Sequence, residues 1–442
     1  MRLTVIGCGY LGAVHAAAMA DLGHHVLGVE TDPARLALLA RGEAPFYEPG
    51  LDELLRRGAR TGRLRYTAEL DGAAARADVH FLAVGTPQSP SGRGADLSHL
   101  WRAVDSLAAV LPRCVHPDGM PLVVGKSTVP VGTAQQVADR LAGRALVVWN
   151  PEFLRESMAV ADTLSPDRIV YGLPTEPARA ERARAVLDEV YAPILAAGTP
   201  RLTMGYQTAE LVKTAANAFL ATKISFINAM SALCAATGAD VTVLADAIGR
   251  DARIGPHFLR AGLGFGGGCL PKDLRGLEQR AAELGANGLA SFLGRVDSIN
   301  RGQRDRVTQM ALEALGPNPA GRAVTILGIT FKPDSDDLRD SPVLEVALRL
   351  ADAGAVVTVH DPRGLEGLSR LHPVLRAQPD ALRALEGAEL VILGTEWKEL
   401  TDLDPRAAAA RVARPVLIDA RNALTPSRWT AAGWDYRGIG RP

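Results

Sequence analysis

The stretch "RLTVIGCGYLGAVHAAAMADLGHHVLGVE", residues 2–30, decides the fold. "RLTVIG" is a short β-rich run, "CGYLGAVHAAAMADLG" an alanine-rich helix ending at Gly23, and "HHVLGVE" a second strand. Strand, glycine turn, helix and strand at this spacing make a βαβ unit. Within it Gly7, Gly9 and Gly12 spell GxGxxG, and Glu30 ends the second strand. The glycines let the backbone approach a pyrophosphate at the helix N-terminus, where N–H groups and the dipole favour negative charge. Glu30 is placed to accept hydrogen bonds from an adenosine ribose and would repel a 2′-phosphate, so the expected cofactor is NAD rather than NADP. Tyr10 and Leu11, inside the glycine turn, join the expected cofactor contacts. Arg35, one turn into the following segment, is placed to steady the cofactor phosphates.

Outward from this unit the alternation continues. "DVHFLAVGTP" (78–87), "PLVVGKSTVP" (121–130) and "ALVVWNPEF" (145–153) each read as an apolar strand running into a polar or glycine-bearing loop. Strands alternating with helices imply a mostly parallel sheet covered on both faces, with ligands at the carboxyl ends of its strands. From about residue 206 to 237 the texture changes to a proline-free run with helical spacing that ends in glycine, a long helix. More helix is expected to about 315, interrupted by a cysteine loop. At "AVTILGITFKP" (323–333) the strand pattern resumes, and "AVVTVHDP", "AELVILGTEW" and "PVLIDARNAL" continue it without a second GxGxxG. The expected fold is α/β: two Rossmann-like doubly wound domains joined by a long central helix and a helical middle domain. The expected divisions are 1–204, 205–315 and 316–442.

The bulk numbers agree. A chain of 442 residues with 47% hydrophobic and 22% charged residues has the composition of an ordinary globular protein with sizeable cores. Lys+Arg and Asp+Glu are 49 each, so the balance gives no support for a nucleic-acid partner. The four cysteines, Cys8, Cys114, Cys234 and Cys269, lie far apart without metal-ligand spacing, which argues against a disulfide framework or a zinc site. "MRLTVIGCGYLG" lacks the order of a signal peptide, and no run is expected to approach the ~18 apolar residues that cross a bilayer. A cytoplasmic protein with no membrane partner is the simplest expectation.

Cys269 stands in "GLGFGGGCLPKD", residues 262–273. It reads as a small buried hydrophobe, an inconsequential surface thiol, or a nucleophile. The preceding glycines expose backbone N–H groups and Lys272 adds positive charge, both favouring thiolate. If "PKDLRGLEQR" begins a helix, Pro271 suits its first turn and the thiol gains from that N-terminus. Asp273, four residues on, is placed to hold a water. On the long helix Glu210, Lys213 and Asn217 share a face, and Lys213 in such apolar surroundings calls for a partner. Glu152 and Glu156, spaced i, i+4, lie just past a strand end. An NAD domain with a candidate thiolate and bases suits either simple alcohol oxidation or oxidation onward to an acid through a thioester.

The motifs "VIGCGYLG", "GTPQ", "KSTVPVGT", "NPEFLRES", "KTAANAFLATKISFINAMSALCAATGADV", "RIGPHFLRAGLGFGGGCLPKD" and "GITFKPDSDDLRDSP" occur in the order found in the nucleotide-sugar dehydrogenases. The chain resembles this family from Met1 to about Arg421, and most closely its members that oxidise UDP-glucose. The resemblance implies a four-electron oxidation of UDP-glucose to UDP-glucuronate with two NAD and one water. It casts Cys269 as the nucleophile that carries the thiohemiacetal and thioester. Lys213 and Asp273 would organise a catalytic water and steady oxyanions, with Thr128 positioning that water. Glu152 would be a base for thioester hydrolysis, and Asn217 would lie beside the sugar. The expected cofactor contacts extend to Thr86, Thr128, Glu156, Lys272 and Arg421. Substrate contacts are expected from Glu152, Phe153, Leu154, Lys213, Asn217, Phe258, Phe265, Gly266 and Lys332, and in a homodimer from Arg253 reaching the neighbouring site. Ser157 and Gly268 depart from the family's usual glycine and serine, and Glu30 from its more frequent aspartate. Three alternatives remain at this level. One is a GDP-mannose 6-dehydrogenase or another nucleotide-sugar enzyme, which Ser157 favours. The others are a two-electron 3-hydroxyacid-type dehydrogenase, which leaves Cys269 unexplained, and a non-catalytic NAD sensor.

Overall fold

A computed structural model describes residues 1–70, 76–89, 94–112 and 119–442. The chain forms two compact units, Met1–Ala216 and Asn217–Pro442. Cys114 lies outside the described residues.

Eight strands among the described residues build the first unit's sheet. They are β1 (Arg2–Ile6), β2 (His25–Val29), β3 (Leu64–Thr67), β4 (Val79–Leu82), β5 (Leu122–Gly125), β6 (Leu146–Trp149), β7 (Ile169–Leu173) and β8 (Arg201–Gly205). Their order is β3-β2-β1-β4-β5-β6-β7-β8, parallel throughout except for β6 against β7, which meet antiparallel at Trp149 and Gly172. Alternation sorts each strand's side chains between two cores. Leu3, Val5, Phe81, Val124 and Val148 point into one, while Ile6, Leu82, Val123, Val147 and Val170 point into the other. All are essentially fully buried, and each such side chain contributes roughly 1.5–3 kcal/mol on burial. A sheet covered on both faces therefore reads as continuous apolar runs, as "LVVG" and "LVVW" do. The order reverses between β1 and β4. The crevice at that switch point, above the strands' carboxyl ends, is where a parallel sheet takes a ligand.

The second unit holds β9 (Ala323–Leu327), β10 (Val356–His360), β11 (Arg376–Ala377), β12 (Leu390–Leu393), β13 (Val416–Asp419) and β14 (Asp435–Gly438). They form a parallel sheet in the order β11-β10-β9-β12-β13-β14. Val324, Leu390, Ile392 and Ile418 face one core, and Leu327, Val391, Leu393 and Leu417 the other. Asp361, just past β10 as Glu30 is just past β2, is fully committed to its own chain. It accepts from the backbone N–H groups of Ile329, Thr330, Arg363 and Gly364 and from the Trp397 indole. The second sheet thus repeats the order of the first sheet's first six strands, with Asp361 tied to four backbone N–H groups at the position that Glu30 holds in the first.

The long helix spans Tyr206–Thr237; its residues from Asn217 onward belong to the second unit, together with the helices Val241–Gly249, Leu270–Glu283 and Asn287–Leu315. One expectation is corrected here. By length and composition the Tyr206–Thr237 helix is apolar enough to cross a membrane. Its alanine, leucine, isoleucine and phenylalanine content raises the average even though Glu210, Lys213 and Lys223 interrupt it. Its buried polar residues mark it as a helix built into protein. The Ser225 hydroxyl donates to the Val296 carbonyl, and the Asn228 side-chain carbonyl accepts from the Gly262 N–H.

Candidate active site

In the first unit the glycine turn connects β1 to the helix Tyr10–Asp21. Gly7 takes φ +87°, and a Cβ at Gly12 would lie 1.8 Å from the Gly7 carbonyl oxygen, so neither position admits a side chain. A Cβ at Gly9, the residue before the helix, would meet nothing within 4 Å. Open space therefore stands over the helix's unsatisfied N–H groups, the cradle a dinucleotide pyrophosphate fits. Glu30 is buried at the end of β2 and accepts from the N–H groups of Cys8 (3.1 Å) and Asp32 (2.8 Å). Arg35, expected to steady phosphates, donates to Glu30 at 3.1 Å. Thr86, past β4, donates its hydroxyl to the Thr128 carbonyl past β5 at 2.7 Å, tying two ligand-end loops together.

Past β6, Glu152 accepts from the Leu154 N–H at 2.6 Å and pairs with Lys213 at 3.0 Å, both side chains largely buried. Lys213 thus has the partner its burial requires. The Phe153 ring lies 4.0 Å under the Arg168 guanidinium, with Lys213 5.9 Å from its centroid. Glu210, on the same helix, has a capping task. Its two oxygens accept from Gly132 and Ala134 N–H, capping the helix Thr133–Arg140. Lys126, not singled out from the sequence, is buried with its ammonium on the Asn150 side chain (3.0 Å). Burial pulls its pKa down to about 8, and the Glu152 charge opposes that shift. A lone lysine inside "LVVGKS" was the available signal.

In the second unit Cys269 is exposed and is the N-cap of the helix Leu270–Glu283, with Pro271 in the first turn. Cys8 and Cys234 are buried, and burial pushes the Cys8 thiol up, so among the described cysteines Cys269 alone suits thiolate chemistry. Asp273, 4% exposed, accepts from Asn217 at 2.7 Å and lies 2.8 Å from the Lys272 ammonium. A Cβ at Gly268 would lie 2.5 Å from the Arg339 guanidinium carbon, so the glycine lets that cation approach the cysteine loop.

The other expected contacts lie in the second unit. Phe265 is buried in a small core with Ala218, Leu274 and Val296, its backbone pinned by Asn300. Gly266 is hemmed by the Asp340 carbonyl. Phe258 is 39% exposed with φ +62°. Lys332 lies 5.8 Å from the Phe331 ring centroid. Arg253 is exposed and paired with its neighbour Asp251 at 2.7 Å. Arg421 donates to the carbonyls of Gly394, Gly264 and Phe331, a clip across three segments that the sequence did not signal.

These arrangements match a known family along the chain. Residues 1–195 match the NAD binding domain of the UDP-glucose/GDP-mannose dehydrogenase family, 207–302 its central domain, and 325–426 its UDP binding domain. The chain belongs to this family. A UDP-glucose 6-dehydrogenase of Pseudomonas aeruginosa is 41% identical over 100% of this chain and 98% of its own length. One from Rhizobium meliloti is 39% identical, with both chains fully covered. The solved structure of a UDP-glucose dehydrogenase from Pyrobaculum islandicum superposes with a TM-score of 0.89 at 37% identity, covering 100% of this chain and 98% of that one. As a family member the chain carries an NAD-binding fold in its first unit, the region in which Gly9 and Glu30 offer the fitting cradle.

Proposed function

We propose that the chain is an NAD-dependent UDP-glucose 6-dehydrogenase that oxidises the C6 alcohol of UDP-glucose to the carboxylate of UDP-glucuronate. One observation carries this reading above all: an exposed cysteine stands at the N-cap position of a helix, in a chain whose end-to-end relatives are named for this activity. A two-electron dehydrogenase would leave that thiol without a task.

Bound nicotinamide would accept a hydride in each of the two oxidations. The residues account for the rest. As the alcohol carbon becomes an aldehyde, the hydroxyl proton passes to a base, for which the Lys213–Glu152 pair and Asp273 are the candidates. The Cys269 sulfur adds to the aldehyde carbon and the carbonyl oxygen takes up a proton, giving a thiohemiacetal. Loss of the second hydride and of that proton leaves a thioester on sulfur. Water, deprotonated by Glu152 and positioned by Thr128, attacks the acyl carbon. The C–S bond then breaks, the acid departs and the sulfur is free for another cycle. Per sugar, the sum is two NAD and one water consumed, and two NADH, one carboxylate and three protons formed.

The supporting geometry lies within each unit. Asp273 is fixed by Asn217 and Lys272, and Glu152 by Lys213 and Leu154. We read 1–204 as the NAD part, 205–315 as the connecting helix with the cysteine loop, and 316–442 as the nucleotide-sugar part, with Lys332, Phe258, Gly266 and Arg421 serving substrate and cofactor. We read the protein as a cytoplasmic homodimer in which Arg253 reaches the neighbouring site. Phe219, Phe226 and Leu233 support the dimer: they recur at seven-residue spacing on the long helix and are 67%, 51% and 55% exposed.

Mixing the protein with NAD and, separately, UDP-glucose, GDP-mannose and UDP-N-acetyl sugars, with NADH counted per sugar consumed, tests the reading. UDP-glucose should yield two NADH. One NADH per sugar, or a preference for GDP-mannose, would overturn it.

A further inference from the structure

Glu48 belongs to none of the groups above, yet it is among the most connected carboxylates of the first unit. It lies in "PFYEPG", residues 45–50, and is 6% exposed. The Tyr10 hydroxyl donates to its Oε2. The Ser157 N–H reaches the same oxygen at 2.8 Å and the Tyr10 hydroxyl at 3.0 Å, and the Val160 N–H points at Oε1 at 3.4 Å. Two residues earlier, the Phe46 ring packs on the Tyr10 ring with centroids 4.6 Å apart. Three segments far apart in sequence therefore converge on one carboxylate: the glycine turn, the "PFYEPG" loop and the "NPEFLRES" loop.

Stability alone does not call for this arrangement. Among the described residues Glu48 has no cationic partner in an ion pair, and a buried carboxylate costs more than a hydrocarbon side chain of similar volume unless its lone pairs are satisfied. Here neutral donors from two separate loops satisfy it. One of them, Ser157, holds φ +69°, a conformation that a non-glycine residue keeps only where its surroundings over-determine it. Burial, the bond to Glu48 and the nearby Glu156 charge all push the Tyr10 hydroxyl up, so it remains a donor at any physiological pH.

We infer that Glu48 is a positioning residue for the cofactor site. Its carboxylate fastens Tyr10 of the glycine turn to Ser157 of the "NPEFLRES" loop, and so sets the spacing between the groups that take the pyrophosphate and the Glu152–Glu156 segment. The inference rests on the NAD reading of the first unit.

Calorimetric NAD binding, steady-state kinetics and thermal melting on the full-length wild type, Tyr10→Phe, Glu48→Gln, Glu48→Ala and Tyr10→Phe/Glu48→Ala test it. Tyr10→Phe and Glu48→Ala should each weaken NAD binding about tenfold, and the double variant should be little worse than either single, because both break the same link. KM for UDP-glucose should rise by less than the loss of NAD affinity, because Lys213 and the Leu154 N–H still hold Glu152. Glu48→Gln keeps an acceptor for the Ser157 N–H and should fall between; with Tyr10→Phe it carries the test if Glu48→Ala does not fold. Variants that melt earlier but bind NAD like the wild type would reduce Glu48 to a structural role and overturn the inference. A wild type that binds no NAD would instead bring down the cofactor reading itself.

Discussion

At the scale of single residues, strain and buried charge concentrate where ligand-end loops meet. Ser157 occupies a left-handed backbone conformation and buries a hydroxyl that has no hydrogen-bond partner. Ser157→Gly should therefore raise stability by roughly 1 kcal/mol, read from urea melting, because the left-handed region costs an L-residue about that much; a lower midpoint would contradict this. Lys126 makes a second prediction. Its pKa is about 8 in the fold against an ordinary value of 10.5. Between those values the unfolded chain binds more protons than the native one, so Lys126's contribution to stability rises with pH from about 8 toward 10.5. The melting temperature of the wild type minus that of Lys126→Met should grow across this window. A difference that stays flat would show the ammonium to be unperturbed, and one that shrinks would show its pKa raised; either contradicts the prediction. Of these residues the sequence made Cys269, Glu30, Lys213 and Asp273 legible, because their chemistry is unusual for their local pattern. Glu48 was not legible, and Arg421 was only as an expected cofactor contact; its bonds to three carbonyls were not foreseen, since a glutamate beside a turn and an arginine after a strand look like solvated charges until the chain brings their partners to them.

At the scale of elements, apolar runs ending in glycine or polar loops identified β1, β2, β4, β5, β6, β9, β10, β12 and β13. The strands that escaped are β3, β7, β8, β11 and β14; β3, β8, β11 and β14 are the edge strands of their sheets, and sequences such as "RLTMG" and "DYRG" alternate or carry charge there. The long helix was plain from its period, but the tasks of its faces were not. Glu210 shares a face with Lys213, yet it caps another helix through Gly132 and Ala134. Glu210→Ala leaves two amide groups without acceptors and should cost roughly 2–4 kcal/mol of stability. Glu210→Gln should recover part of that, since its carbonyl still accepts one bond. Equal midpoints for wild type and Glu210→Ala in chemical denaturation would refute the capping role.

At the scale of the whole molecule, the second sheet repeats the order of the first sheet's first six strands, and the two also differ in their acidic positions. Glu30 accepts from two backbone N–H groups beside an open glycine cradle, whereas Asp361 accepts from four. The sequence showed that difference only as the presence and absence of GxGxxG; the physical reason needed the hydrogen bonds. The exposed stripe of the long helix belongs to this scale as well. If the proposed homodimer uses this stripe, Phe219→Asp with Phe226→Asp should shift it to monomer in sedimentation, and an unchanged dimer would place the interface elsewhere. The central claim is that the Cys269 sulfur holds the oxidised sugar carbon. Its most direct test is peptide mass mapping after acid quenching of a Glu152→Gln variant in turnover with NAD and UDP-glucose, because a slowed hydrolysis should let the thioester accumulate. The account predicts a UDP-glucuronyl adduct on the Cys269 peptide, removable by hydroxylamine. Two NADH formed per sugar with that peptide unmodified throughout turnover would contradict it.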